Sequence, residues 1–137
     1  MELAGRLHPM LVHFPIALAL IAAGAEALGI VTGRPAWHGL ALANVRAGAV
    51  FAAGATAAGW LFARGADLAL DGLEVHRWLA IGSTAAMIAA ALLTIRLPAC
   101  PKNRRLYRVF LFASALGIGI TAHLGGMLVW GENFLHI

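Results

Sequence analysis

Hydrophobic positions dominate four stretches of the chain, and short polar segments rich in Gly, Pro and Arg divide them. The apolar stretches are 10–31, 43–63, 77–97 and 107–130. A hydrocarbon layer of about 30 Å takes about 20 helical residues at 1.5 Å each, so each stretch is long enough to cross a bilayer. The segments between them, "TGRPAWHG", "RGADLALDG" and "RLPACPKNRR", carry the residues that end helices. Connections this short join antiparallel neighbours, so the pattern predicts an all-α, up-down-up-down four-helix membrane bundle. The chain reads as one transmembrane domain, 1–137, with no internal repeat, no low-complexity segment and no attached soluble domain.

Composition agrees with the pattern. Of 137 residues, 61% are hydrophobic and 12% charged, about half the charged share of an ordinary soluble domain. The net charge of +4 does not point to nucleic acid, because the basic residues flank apolar stretches instead of lining one face. A single cysteine, Cys100, allows no internal disulfide, and no C-x-x-C-H motif for covalent haem is present. Arg6 followed by an apolar run and "AAGAEA" resembles a signal peptide, but the first stretch is expected to remain as a membrane helix.

The distribution of Lys and Arg sets an expected orientation. The first-to-second and third-to-fourth connections with their flanks hold Arg34, Arg46, Arg96, Lys102, Arg104, Arg105 and Arg108, whereas the opposite side holds Arg6, Arg64 and Arg77. Seven against three places the first side in the cytoplasm of a bacterium and both termini outside. Cys100 then faces the reducing compartment.

With depth assigned, the histidines fall unevenly. His8 and His13 open the first helix on the outer side, His76 opens the third, and His123 lies seven residues before Trp130 in the fourth. Only His38 is cytoplasmic, and His136 is on the outer tail. His8, His38 and His136 read as interfacial polar residues. His13 and His123 lie within apolar runs, where ionisable side chains are rare and usually functional, although helix–helix hydrogen bonding is the competing reading.

Imidazole is a good ligand for iron, copper or zinc. Within the membrane half thiolates are absent and carboxylates lie in loops, which favours a b-type haem over an iron–sulfur or carboxylate-bridged centre. The expected iron ligands are His76 and His123, with His13 as the alternative. A flat porphyrin needs room, and Gly119 and Gly126 share a helical face with His123, while Trp78 and Trp130 either wall the pocket or serve only as belt anchors. Small residues also serve close helix packing, the favoured role for Gly48, Gly54 and Gly59. Glu26 and Arg46 lie at similar depth near the cytoplasmic side, so a structural ion pair is expected there; the alternative is a proton-handling group beside a quinone. "NRRLYR" reads as a topology signal.

The block "HPMLVHFPIAL" resembles the opening of DUF2231, a family of small four-helix membrane proteins. "AAGWL" ending the second helix, "VHRWLAIG" opening the third and "TAHLGGMLVWG" in the fourth are similar to later blocks of that family, with Ala122 where a Gly is usual. The resemblance covers nearly the whole chain. It implies an association with cytochrome c and Rieske-type modules and hence with membrane electron transfer. The leading expectation is a non-catalytic haem b subunit that exchanges electrons between a periplasmic redox partner and the quinone pool. Two other classes compete with it: a cofactor-free structural or assembly subunit, and a copper- or zinc-binding membrane protein.

Overall fold

The computed structural model describes residues 5–65, 72–95 and 101–131. These form a short helix α1 (His8–Leu11) and four long ones, α2 (His13–Thr32), α3 (Pro35–Gly65), α4 (Leu73–Ile95) and α5 (Pro101–Trp130). There is no strand among the described residues. Taken with α1 as one span, the four long helices are each long and apolar enough to cross a membrane. The four-helix membrane bundle expected from the hydrophobic pattern is the fold observed.

Local chemistry explains the ends. α1 stops at Leu11 because Pro15 has no N–H to donate to the Leu11 carbonyl, and α2 resumes one residue later. The backbone at Val12 stays in the right-handed helical region, so the interruption bends nothing sharply. α2 ends at Gly33, whose φ of 67° lets its N–H return to the Gly29 carbonyl at 3.0 Å. Pro35 then starts α3 at a position where its missing N–H costs nothing.

The helices outrun the apolar stretches. α3 begins at Pro35 instead of 43, α4 at Leu73 instead of 77, and α5 at Pro101 instead of 107. Hydropathy measures how much chain the lipid requires, whereas helix length is set by caps and breakers. At 1.5 Å per residue the 31 residues of α3 extend about 46 Å, more than the hydrocarbon layer. The extra turns decide where two histidines fall: they put His76 in the first turn of α4 and His38 in the first turn of α3.

Packing follows the logic of a lipid-facing bundle. The interior is built largely of small residues, with Ala19, Ala22, Ala49 and Ala90 around Val45, Met87 and Leu111. Large side chains such as Leu20, Val50, Leu92 and Leu116 point outward. Lipid tails are as apolar as leucine, so close backbone approach, not burial of large side chains, holds the helices together. α3 and α4 are also tied by a Thr56–Thr84 hydroxyl pair at 2.8 Å.

Candidate functional site

One end of the bundle is open. Where α1, the end of α3, the start of α4 and the end of α5 meet, the helices enclose a cavity of about 610 Å³. That lies within the range of small-molecule and cofactor sites, roughly 300–1,000 Å³. Its wall is mostly apolar, with Ile16, Ala52, Ile81, Ile118 and Leu128 among the lining residues. Three histidines reach it: His8, His13 and His76.

Two of these imidazoles are held in the same way. The His8 Nδ1–H donates to the Ala55 carbonyl at 2.8 Å, and the His76 Nδ1–H donates to the Thr121 carbonyl at 3.1 Å. Because a carbonyl only accepts, each neutral ring carries its proton on Nδ1 and its lone pair on Nε2. Each ring also rests on a glycine four residues beyond its carbonyl. A Cβ at Gly59 would lie 2.7 Å from His8 Cε1, and one at Gly125 would lie 3.1 Å from His76 Cε1. "ATAAG" on α3 and "TAHLG" on α5 therefore do the same job, one for each hairpin. The two hairpins repeat a histidine seat that their sequences barely reveal. The rings, one per hairpin, line the same cavity.

Glycine at these seats is testable through stability. Gly59→Ala is expected to push the His8 ring off its carbonyl and cost about 1–3 kcal/mol, the range for overpacking a tight site. Gly125→Ala should cost less, since its contact is 0.4 Å longer. Thermal unfolding in detergent checks the order, and equal, negligible losses would show that the seats are loose.

The other expected residues are distributed as follows. His13 is exposed and lines the cavity mouth. His123 is on an exposed part of α5 and is not among the residues lining the cavity, although it has an interaction of its own. Gly126 and Trp130 line the cavity, whereas Gly119 and Trp78 do not; Trp78 is 61% exposed. His136 lies outside the described residues, as do Cys100 and Arg96. Among the described residues no set of three or more His, Cys, Asp or Glu side chains is placed to hold a metal ion.

Sequence reasoning missed several members of the site. His8 read as interfacial and Gly59 as helix packing, and Arg77 entered only as a topology count. Arg77 lines the cavity with its guanidinium 4.7 Å from the centroid of Trp60, and Arg64 approaches the same ring at 5.3 Å. The sequence holds only a faint signal of the seats, a small residue four positions before a glycine in "ATAAG" and "TAHLG", and the two lie at different distances, 47 and 45 residues, from the histidine each one holds.

At the opposite end, the expected Glu26–Arg46 pair does not form. Arg46 Nε instead donates to Thr94 Oγ1 at 2.8 Å. Glu26, 2% exposed, accepts from Arg108 Nε at 2.8 Å and from His38 Nδ1 at 2.9 Å. Equal depth was the basis of the expectation, and depth says nothing about which way a side chain points around its helix. Beside this group the Tyr107 hydroxyl is buried with no hydrogen-bond partner among the described residues.

A profile of the family described as "Predicted membrane protein (DUF2231)" matches residues 5–134. The chain belongs to the DUF2231 family. The match takes in both histidine seats, the cavity and the buried Glu26 group of this DUF2231 protein. No curated protein and no solved structure matches the chain.

Proposed function

We propose that this DUF2231 protein is a membrane subunit that holds a b-type haem in the cavity, between His8 and His76, and passes electrons. The observation that carries the reading is the pair of seats. Two imidazoles on different hairpins reach one apolar cavity, and each has its Nδ1–H fixed on a backbone carbonyl. Metal-ligating histidines show this outer hydrogen bond almost always, because it sets the tautomer and raises the basicity of the other nitrogen.

The donor set suits a haem better than a bare ion. A porphyrin brings four ligands of its own and asks two of the protein, whereas copper or zinc asks for three or four side chains, and no such set meets among the described residues. The pair expected from sequence was His76 with His123; the proposal keeps His76 and takes His8, because His8 has the matching seat. Ligation by two histidines leaves no open position, so the haem would supply reversible one-electron chemistry. The chain's own part is to fix the rings, exclude water and set the polarity around the group through Thr56, Thr84 and Ser83.

In the orientation expected from the Lys and Arg count, the cavity opens on the outer face of a bacterial cytoplasmic membrane. A periplasmic cytochrome c or Rieske-type protein would then be the natural partner, with the quinone pool or another subunit on the other side of the transfer. The test is a reduced-minus-oxidised visible spectrum and pyridine haemochromogen assay on the full chain, produced with ample haem. Low-spin bands and about one haem per chain are expected. A folded protein without haem bands overturns the reading.

A further inference from the structure

The cavity is apolar and opens within a membrane bundle, yet Arg77 places a permanent charge on its wall. Guanidinium groups stay charged under all relevant conditions, and a charged side chain in a membrane bundle usually faces a cavity or pairs with another group. One partner is Trp60, whose ring lies 4.7 Å below the Arg77 guanidinium and also lines the cavity. The indole holds the group by a cation–π contact and fixes its plane. It does not neutralise it, and a second cation, Arg64, shares the same ring. The carboxylates among the described residues are Glu26 and Glu74, and neither lines the cavity. Arg77 also follows His76 directly, as the fifth residue of α4, so the charge lies beside one of the two seated imidazoles.

We infer that Arg77 is an anion-recognition residue that selects a cavity ligand carrying carboxylates on an apolar body, and so selects the two acid groups of a porphyrin over a neutral quinone. The inference rests on the haem reading and adds the basis of ligand choice to it. A planar guanidinium held rigid by Trp60 presents paired N–H donors to a carboxylate, and charge-assisted bonds of this kind are about twice as strong as neutral ones. Arg64 lies at the same ring without lining the cavity, so it serves as an internal control.

The experiment titrates the purified full chain with hemin and with hemin dimethyl ester, whose acid groups are capped, and repeats both for Arg77→Gln, Arg77→Lys and Arg64→Gln. Wild-type protein is expected to prefer hemin by about tenfold or more, with Arg77→Gln abolishing the preference and Arg64→Gln keeping it. Arg77→Lys should keep part of it, since lysine supplies charge without the paired donors. The low-spin spectrum should survive in every variant, which shows that the histidine seats are intact. Equal affinity of the wild type for hemin and its ester, with low-spin spectra in both, overturns the role of Arg77 and leaves the haem reading standing. A preference that survives in Arg77→Gln overturns it as well. Failure of the wild type to bind either compound overturns both.

Discussion

Alanine at His8 or at His76 is expected to lower haem affinity by at least about 100-fold and to replace the low-spin spectrum with a high-spin one. Removing only the outer hydrogen-bond partner of a ligating histidine typically costs 10–100-fold, so loss of the ligand itself sets that value as a floor. The two variants should behave alike, because the two rings are held alike, each by Nδ1 on a carbonyl and each on a glycine. His123→Ala and His13→Ala should keep the low-spin spectrum: His123 does not line the cavity, and His13 is exposed at its mouth with no such seat. Imidazole added to the His8→Ala or His76→Ala protein should restore the low-spin bands, which separates loss of a ligand from loss of the fold. Low-spin spectra retained in both variants would remove His8 and His76 as the pair.

That expectation differs from the one the chain supports before folding, and the reason is physical. Four spans were legible because length and hydropathy alone decide whether a helix is fit to cross a bilayer, and there are four such helices among the described residues. The end of the bundle to which each described histidine belongs was legible too, since that only counts residues from a helix end. Rotation about the helix axis was not. In a soluble helix the polar face gives the phase, but in α2 and α4 the few polar residues are outnumbered by apolar ones on all sides, and lipid accepts an apolar face at any rotation. Counting residues therefore does not separate His123, which is exposed, from Thr121 and Gly125, which meet the His76 ring. Arg46 was paired with Glu26 for the same reason, when Arg108 has the right face. His8 was lost through a different effect. It precedes the apolar run, and only the short helix α1, ended by the missing donor of Pro15, carries it back over Ala55 and Gly59.

The largest stability effect is expected at the other end of the bundle, at Glu26. Its carboxylate joins three helices, with α2 supplying the acid, α5 supplying Arg108 and α3 supplying His38. Removing one member of a buried ion pair strands the other charge, at a cost of 3–5 kcal/mol in typical cases. The Arg108 side chain is 31% exposed and His38 28%, so water and headgroups relieve part of that, and Glu26→Ala should cost about 3 kcal/mol. Glu26→Gln should lose somewhat less, because an amide oxygen still accepts from one of the two donors. Replacing Glu26 and Arg108 together by leucine and methionine should recover most of the loss, since apolar packing then removes both desolvated charges at once. Tyr107→Phe should be near neutral, for its hydroxyl gives up no bond to another described residue. Unfolding in mixed detergent micelles, read by circular dichroism, gives all four values. A Glu26→Ala loss below about 1 kcal/mol would mean that the three helices are held by their alanine faces alone, and a double variant less stable than Glu26→Ala would mean that apolar packing does not replace the pair.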